Sequence, residues 1–314
     1  MTLMQVAKEA GVSITTASKV FNDVPTVRPY IRERVLETAK KLNYHPNQLA
    51  RGLRNRYANL VSLGIQLLDN PFFGDFTQTL SGLLLEQGLG AIICNNIDKV
   101  NEVNRSSRAC GTILVSPSKK HIEEVVQERA LVTITASKPM LDLAPDVSID
   151  FSRAYTETAT RLLDIKKHHF VFLGWTEADW TVNLQSKFCH MLNVLEDEGF
   201  EKEAVNPKYF SSPAQIIDYI KVQNQPVDAV VCCNDLIASH LTQYLWMNDI
   251  APGRDVIVVG CDGCHTIPGI WTVKISISAL ASAASYLLKQ QLDKGDYPSQ
   301  ITVSPTLALP EKID

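Results

Sequence analysis

Basic side chains are concentrated at the start of the chain. Residues 1 to 60 contain ten Lys and Arg residues against four acids, Glu9, Asp23, Glu33 and Glu37, a net charge of +6. Because the whole chain has a formal charge of -4, the remaining residues carry -10. Lys and Arg bind phosphates and release counterions, whereas an acidic body discourages binding elsewhere. The pattern is typical of a nucleic-acid-binding segment, and the alternative is an ordinary solvated surface.

The cysteines are the second set of residues with chemical potential. They number seven and lie mostly in apolar runs, which indicates reduced, buried thiols. The run Cys261-Asp262-Gly263-Cys264-His265 matches the C-x-x-C-H haem-attachment pattern, and Cys232 with Cys233 could complete a set of thiolate ligands. Haem attachment requires export, so haem is a minor alternative here. Structural zinc and a thiol-based redox response are two further alternatives. We predict no cofactor and no metal.

Motifs of enzymes and of membrane or exported proteins are missing from the sequence. It contains no phosphate-cradling glycine loop, no G-x-S-x-G and no H-E-x-x-H, and the pair His168-His169 is typical of a solvated turn. No run reaches the roughly 18 apolar residues that span a membrane, and the N-terminus lacks signal-peptide features. We therefore expect a cytoplasmic protein that is not an enzyme and has no membrane partner.

The basic segment has the pattern of three short helices. Within Met1 to Tyr44, Thr2 and Gln5 form a capping box for the first helix, and Ser13 is placed to cap the second after a tight, glycine-containing turn. Pro29 suits the first turn of the third helix. This arrangement is the plan of a DNA-binding helix-turn-helix.

From Leu60 onwards, short apolar runs alternate with helical patterns, which predicts parallel strands with crossover helices. The predicted strands are Leu60 to Ile65, Ala91 to Cys94, Thr112 to Val115, Leu131 to Thr135, Phe170 to Leu173, Ala229 to Cys232 and Val256 to Val259. The predicted helices are Phe72 to Gln87, His121 to Arg129, Arg153 to Asp164, Val182 to Glu198, Pro213 to Val222 and Leu236 to Met247. Two doubly wound units of this kind bind small molecules at the carboxyl ends of their strands.

A series of motifs extends over nearly the whole chain. The first are the runs from Met4 to Ser13 and from Ala17 to Asn22. The others are Arg34-Val35-Leu36, Leu42 to Asn47, Ala50 to Arg54, Asn70-Pro71-Phe72-Phe73, Ile149-Asp150, Phe172-Leu173-Gly174, Asn234-Asp235 and Val259-Gly260-Cys261-Asp262. Together these motifs resemble the lactose/galactose repressor (LacI/GalR) family of transcription regulators.

The resemblance implies an all-α helix-turn-helix DNA-binding head joined by a hinge helix to a two-subdomain α/β body of the periplasmic-binding-protein type, with doubly wound parallel sheets. The implied domains are the head at 1–45, the linker and hinge helix at 46–58, an N-terminal effector subdomain at 59–150 plus 277–304, and a C-terminal effector subdomain at 151–276 plus 305–314. The implied function is that of a repressor whose operator affinity is controlled by a small molecule.

Family geometry assigns roles to individual residues of the head. By resemblance, Ile14 and Thr15 face base edges in the major groove, and Lys19 occupies a position usually held by Arg. Lysine can bond guanine O6 or N7 but lacks the guanidinium fork, so its preference is less rigid. Ser13 and Thr16 are expected to contact phosphates. The alternative is that these polar residues are simply exposed helix positions.

The hinge residues resemble those that bind the minor groove at the operator centre. Leu53 matches the residue that wedges into a base step, with Ala50 beside it and phosphate contacts expected from Arg51 and Arg54. Ordinary packing of Leu53 is the alternative. Paired hinges on palindromic operator DNA imply a homodimer.

The family's effector pocket maps onto a set of aromatic and polar residues, which suits a sugar or sugar phosphate because rings stack on C–H faces while polar groups bond hydroxyls. The mapped residues are Phe72, Phe73, Ser116, Phe210, Asn234 and Asp262. The two phenylalanines could instead belong to the core, and Asn234 could cap the following helix.

The pocket departs from the family pattern in ways that leave the effector open. Leu184 stands where an Arg is usual, four residues before the aromatic Phe188, and Ser137-Lys138 replaces the usual Asp-Arg pair. The segment between the strands at Cys94 and Gly111 is also shorter than usual, near the expected dimer surface. A regulator that responds to a non-sugar signal and a sugar-binding protein without a DNA role are therefore the alternatives.

Overall fold

The computed structural model of the protein describes residues 1–21, 24–44, 57–66, 68–125, 130–136, 143–167, 169–174, 182–199, 212–222, 227–264 and 269–310, with the side chains of 182–187 excepted. The chain divides into two compact units, Met1–Asn59 and Leu60–Asp314. Each unit has a core of its own.

The first unit consists of the helices α1 (Leu3–Glu9), α2 (Ile14–Phe21) and α3 (Pro29–Lys41) in its described part. The predicted capping box of α1 is confirmed, because Thr2 Oγ1 accepts from Gln5 N at 3.3 Å while Gln5 Oε1 accepts from Thr2 N at 2.8 Å. The Ser13 hydroxyl caps α2 by accepting from Thr16 N at 3.0 Å. Pro29 begins α3, as predicted.

Small apolar side chains hold these three helices together. The buried residues are Val6, Ala7, Ala10, Ala17, Val20, Val35 and Ala39. Because all seven are alanine or valine, the helices approach closely and the larger polar side chains are left at the surface. An edge-to-face contact between Phe21 and Tyr44, with ring centroids 5.5 Å apart, joins the end of α2 to the residues after α3.

The second unit alternates strands and helices. Its described strands are β1 (Leu60–Gly64), β2 (Gly90–Cys94), β3 (Gly111–Val115), β4 (Leu131–Thr135), β5 (Asp146–Ile149), β6 (Phe170–Leu173), β7 (Ala229–Cys232), β8 (Ile257–Asp262), β9 (Ile270–Lys274), β10 (Gln300–Val303) and β11 (Thr306–Ala308). Its described helices are α4 (Pro71–Glu86), α5 (Val100–Ser107, after a 3-10 turn at Ile97–Lys99), α6 (Lys119–Val125), α7 (Ser152–Asp164), α8 (Val182–Asp197), α9 (Pro213–Val222), α10 (Asp235–Met247) and α11 (Ile277–Asp293).

The first sheet has the order β10-β5-β4-β3-β1-β2 and is parallel throughout its described strands. On one face, Cys94, Leu114 and Leu131 pack against residues of α5 and α6. On the other face, α11 packs on β3 and β4 and also on α4. A Cβ added at Gly111 would lie 2.9 Å from Leu288 of α11, so glycine allows this helix to approach the strand.

The second sheet has the order β11-β9-β8-β7-β6 and is parallel except for the pair β9 and β11. Val171, Val230 and Val258 face the core formed with α9 and α10. On the opposite face, the Phe188 ring of α8 contacts Phe172 at 4.9 Å and Tyr155 of α7 at 5.4 Å between centroids. Helices therefore cover both faces, as expected of a doubly wound unit.

Most predicted elements are confirmed. The sequence analysis did not predict the strands β5, β9, β10 and β11 or the helices α5 and α11. The end of β8 also differs. That strand was predicted to end at Val259, but it continues to Asp262 because Cys261 and Asp262 pair with Val273 and Lys274 of β9. The predicted helix His121 to Arg129 begins earlier, at Lys119, and residues 126–129 lie outside the described part. In the shortened segment before Gly111, the eight-residue helix α5 ends at Ser107, and the left-handed φ of 56° at the next residue, Arg108, allows the chain to turn into β3.

A buried acid in the first sheet makes stability depend on pH. The Asp146 carboxylate accepts hydrogen bonds from Thr133 Oγ1 at 2.7 Å and Thr135 Oγ1 at 2.8 Å. Burial nevertheless raises the pKa of Asp146 above the usual 3.8, and the two hydrogen bonds offset this only in part. The folded chain therefore holds this proton more tightly than the unfolded chain does.

We expect Asp146→Asn to stabilise the protein at neutral pH relative to the wild type. The stability that the Asp146 proton contributes is present below the usual pKa and is lost as the pH rises through the raised pKa. The variant cannot ionise at this position. Its urea midpoint should therefore rise relative to that of the wild type as the pH increases from 4 to 7. The exposed Asp296, changed to Asn, serves as the control, and an equal difference at every pH would contradict the prediction.

Candidate DNA interface and ligand cleft

The helix α2 presents three of the predicted base-reading residues to solvent. Ile14, Thr15 and Lys19 are exposed, whereas Ala17 and Val20 on the other side of the helix are buried. Ile14 is 43% exposed, although a large apolar side chain usually joins the core when one is available. The amphipathic division of α2 therefore places Ile14, Thr15 and Lys19 together on the free face of the head.

Ser13 and Thr16 have a structural role in addition to the predicted phosphate contacts. Their hydroxyl oxygens lie 2.8 Å apart, and Ser13 caps the helix through the Thr16 amide. A hydroxyl can donate one hydrogen bond and accept two, so capacity for a phosphate oxygen remains. The cap holds both side chains at the start of α2, next to Ile14 and Thr15.

The head also carries an exposed positive surface. Its exposed cations in the described part include Lys8, Lys19, Arg28, Arg34, Lys40 and Lys41. Such side chains can neutralise phosphates, which accounts for the sequence-independent part of DNA affinity. The predicted hinge residues Ala50, Arg51, Leu53 and Arg54 lie outside the described residues.

In the second unit, the residues that follow the strands of the two sheets meet in one region. The Asn70 Nδ2 atom, after β1, donates a hydrogen bond of 3.0 Å to the Oδ2 atom of Asp262 at the end of β8. Both residues are 6% exposed. We call the region between the carboxyl ends of the two sheets the inter-sheet cleft.

Two predicted pocket residues have unusual backbone conformations beside this cleft. Ser116, after β3, has a φ of 51°, and Asp262 has a φ of 110°. Non-glycine residues rarely adopt positive φ, and such conformations concentrate at ligand-binding and active sites, where the surrounding structure holds them. Ser116 is exposed, so its hydroxyl is accessible.

The two phenylalanines at the start of α4 have different environments. Phe72 is 4% exposed, whereas Phe73 is partly buried, and their rings are in edge contact with centroids 5.3 Å apart. Phe72 therefore fits the core role that the sequence left open. Phe73 retains surface for a ligand. Phe210 lies outside the described residues, as do Ser137 and Lys138 and the side chain of Leu184.

Asn234 caps α10, because its Oδ1 atom accepts from Ile237 N at 2.9 Å. The sequence analysis gave this cap as the alternative to a ligand contact. An amide that caps with its oxygen still has its NH2 group for a ligand, and Asn234 is only partly buried. The cap and a ligand contact are therefore compatible.

Asp235 has a structural role that the sequence analysis did not predict. Its buried carboxylate accepts hydrogen bonds from Gly263 N at 2.8 Å, Cys264 N at 3.0 Å and Thr272 Oγ1 at 2.7 Å. A Cβ at Gly260 would collide with its Oδ1 atom. The start of α10 thus fixes the loop after β8 and with it the position of Asp262.

The environment of Cys264 and Cys232 raises the pKa of both thiols. Burial raises the pKa of Cys264, and the carboxylates of Asp262, Asp235 and Asp75 raise it further. Burial likewise raises the pKa of Cys232 well above its usual value. Metal ligation and thiol redox chemistry require thiolates, which this environment disfavours. Within the described ranges, no group of three or more His, Cys, Asp or Glu side chains could hold a metal ion.

The described helices include none that is long and apolar enough to cross a lipid bilayer.

Two family models match the chain. The model of bacterial regulatory proteins of the lacI family matches residues 2–47, and that of the periplasmic binding protein-like domain matches residues 161–309. The HTH-type transcriptional regulator DegA of Bacillus subtilis is 30% identical over 277 residues, which cover 83% of this chain and 81% of DegA. The chain belongs to the LacI family. This LacI-family chain is therefore related to DNA-binding transcription regulators.

Other relatives extend the similarity over the full length of this LacI-family chain. Catabolite control protein A of Priestia megaterium is 24% identical over 97% of this chain and 96% of its own. The solved lac repressor dimer, bound to operator and the anti-inducer ONPF, has a TM-score of 0.82 at 18% identity and covers 99% of this chain and 98% of its own. At that identity the structural match establishes the fold.

We expect Asp235→Ala to destabilise the second unit by about 3 kcal/mol. The substitution removes one acceptor from three donors, and hydrogen bonds to charged groups contribute about 1.5–3 kcal/mol each, reduced here by the access of the loop to water. Urea unfolding monitored by circular dichroism measures the loss. Asp218→Ala, at an exposed position of α9, is the control and should change stability by less than about 0.5 kcal/mol.

Proposed function

We propose that the chain is a sequence-specific transcriptional repressor that binds palindromic operator DNA as a homodimer and is controlled by a small-molecule effector in the inter-sheet cleft. The observation that carries the DNA role is the exposed face of α2, with Ile14, Thr15 and Lys19, in a head that matches the lacI family model. A protein of this function acts in the cytoplasm.

The proposed reading of the operator follows from the chemistry of this face. Ile14 offers apolar contact to a thymine methyl group, Thr15 can bond a base edge, and Lys19 donates to guanine O6 or N7. Phosphate contacts from Ser13 and Thr16 position the helix in the groove. The hinge residues Ala50, Arg51, Leu53 and Arg54 are assigned to the operator centre by resemblance alone.

The homodimer is proposed because two heads are needed to read two half-sites of a palindrome. The lac repressor, whose fold this chain shares, was solved as a dimer on its operator. The proposed domains keep the boundaries inferred above, with the head at 1–45 and the hinge at 46–58.

The proposed effector is a sugar or sugar phosphate. Ser116, Phe73, Asn234 and Asp262 offer a hydroxyl, an aromatic ring, an amide and a carboxylate around one cleft, which suits a polyhydroxyl ligand. Structures with the same fold were solved with cellobiose, ribose and lactose. Leu184, in place of the usual Arg, favours a ligand that does not need a guanidinium, and a non-sugar signal is the second candidate.

We expect Lys19→Ala to weaken operator binding about tenfold, since one good base contact contributes about 1–3 kcal/mol. The operator is first selected from random DNA at fixed salt, and fluorescence anisotropy then measures affinity. Lys119→Ala removes the same charge from the exposed surface of α6 in the second unit and should leave affinity within about twofold. Lys19→Arg should sharpen the guanine preference. Equal losses in the alanine variants at positions 19 and 119 would contradict base reading by Lys19.

We expect Phe73→Leu to reduce the response to the effector at least about fivefold while leaving operator affinity without effector unchanged. Leucine keeps the apolar volume but removes the ring that would stack on a sugar. Ribose, cellobiose, lactose, glucose and glucose 6-phosphate are screened for altered operator affinity of the wild type, and any active compound is titrated into the variant.

Tyr297→Leu is the control for the Phe73 variant. Tyr297 is also an exposed aromatic, but it precedes β10 and so lies at the amino end of the first sheet, away from the cleft. The effector proposal fails if no compound in the screen changes operator affinity, whereas the proposed DNA role depends only on operator selection.

A further inference from the structure

Asn70 makes two hydrogen bonds with opposite ends of one amide group. Its Oδ1 atom accepts from Phe72 N at 3.0 Å and caps α4, while its Nδ2 atom donates to Asp262 Oδ2 at 3.0 Å. The amide cannot rotate to improve one bond without breaking the other, because oxygen only accepts and the NH2 group only donates. Asn70 therefore ties the first turn of α4 to the end of β8.

This contact links the two sheets directly. Asn70 follows β1 of the first sheet, and Asp262 ends β8 of the second, 192 positions later in the chain. The two sheets are thus in direct contact at this point of the cleft.

The Asp262 carboxylate requires hydrogen-bond donors, because a buried carboxylate without them is costly. The backbone at and after Asp262 is also held by hydrogen bonds. The Asp262 carbonyl accepts from Ile275 N at 3.2 Å, and the next two backbone amides, of Gly263 and Cys264, are bound by Asp235. A ligand hydroxyl that bonds Asp262 must enter between two side chains that are each 6% exposed.

We propose that Asn70 closes the inter-sheet cleft through its hydrogen bond to Asp262, and that an effector opens or reshapes the cleft by replacing the Asn70 amide as a donor to Asp262. This proposal rests on the proposed effector site, with Asn70 as the internal competitor of the effector. The effector then shifts the equilibrium between the two arrangements by the difference in free energy between its own bond to Asp262 and the Asn70–Asp262 bond.

Asn70→Ser separates the two roles of Asn70. Serine is as good an N-cap as asparagine, so α4 keeps its cap, but its short hydroxyl does not reach Asp262 as the amide does. Asn70→Asp also keeps the cap and places a second carboxylate opposite Asp262, so it should open the cleft further. Asn96→Ser is the matched control. Asn96 follows β2 of the first sheet, and its Oδ1 atom accepts from Asp98 N at 3.0 Å to cap the 3-10 turn at Ile97–Lys99.

Hydrogen exchange of the full-length protein, measured by mass spectrometry without sugar, tests the closure. We expect the peptide covering 258–264 to exchange at least about fivefold faster in Asn70→Ser than in the wild type, and faster still in Asn70→Asp. Asn96→Ser should leave this peptide unchanged. If Asn70→Ser accelerates exchange only in the first turn of α4, or nowhere, the residue is a helix cap and the proposal is overturned.

The reciprocal variant covers the case in which a substitution at position 70 fails to fold. Asp262→Gly removes both acceptor oxygens while keeping a residue that adopts a φ of 110° without strain, so it should accelerate exchange at the amides of Phe72 and Phe73, which an isolated change in β8 would not reach. Unchanged exchange there also overturns the proposal.

The competition is tested with any sugar that alters operator affinity in the wild type. That sugar should bind Asn70→Ser at least about threefold more tightly, because it no longer displaces an amide, and unchanged or weaker binding contradicts the competition. If no sugar in the panel acts on the wild type, the proposed effector role fails by that result alone, while the exchange measurements still decide whether Asn70 closes the cleft.

Discussion

The buried carboxylate of Asp235 determines the position of the residues that follow β8. It binds two consecutive backbone amides, of Gly263 and Cys264, and the hydroxyl of Thr272 on the neighbouring strand. Because the loop cannot move without exposing or orphaning these groups, Asp262 is held with a φ of 110° beside the inter-sheet cleft. Gly260 is part of the same arrangement, since a larger residue would collide with Asp235. The cleft thus has one rigid wall, built by the residue next to the predicted ligand contact Asn234.

The other wall is built by the start of α4, and here local and tertiary requirements meet in a single side chain. The Asn70 amide satisfies an unpaired backbone donor of its own helix and a carboxylate of the second sheet. The head follows a different principle. Its core is made of small residues, and the face of α2 that we propose to read bases is exposed. An exposed helix face on a rigid core suits a partner as large as DNA. The buried polar residues of the inter-sheet cleft suit a small ligand instead.

Local patterns in the sequence predicted much of this architecture. The capping box at Thr2, the cap at Ser13 and the proline at the start of α3 are signals contained within four residues, so they could be recognised without knowledge of the fold. The apolar runs that became β6 and β7 were equally clear, because a strand buried on both faces has no polar interruption. The end of β8 was not predictable in this way. Its extension to Asp262 depends on pairing with β9. The run Ile270–Lys274 is rich in β-branched and aromatic residues, but the sequence analysis did not assign it as a strand, and residue type alone does not reveal which strands pair.

The sequence by itself determined the family, the basic head and the identity of the side chains around the cleft, because these are properties of residue type and spacing. Only the tertiary structure decided how those side chains are used. Phe72 is core while Phe73 keeps exposed surface, a difference that neighbouring residues of the same type cannot reveal. Asn70 and Asp262 are partners across 192 positions, and Asp235 supports a loop from another element. Such roles depend on which strands and helices meet, and hydrogen bonds act only over about 3 Å in space, whatever the separation along the chain.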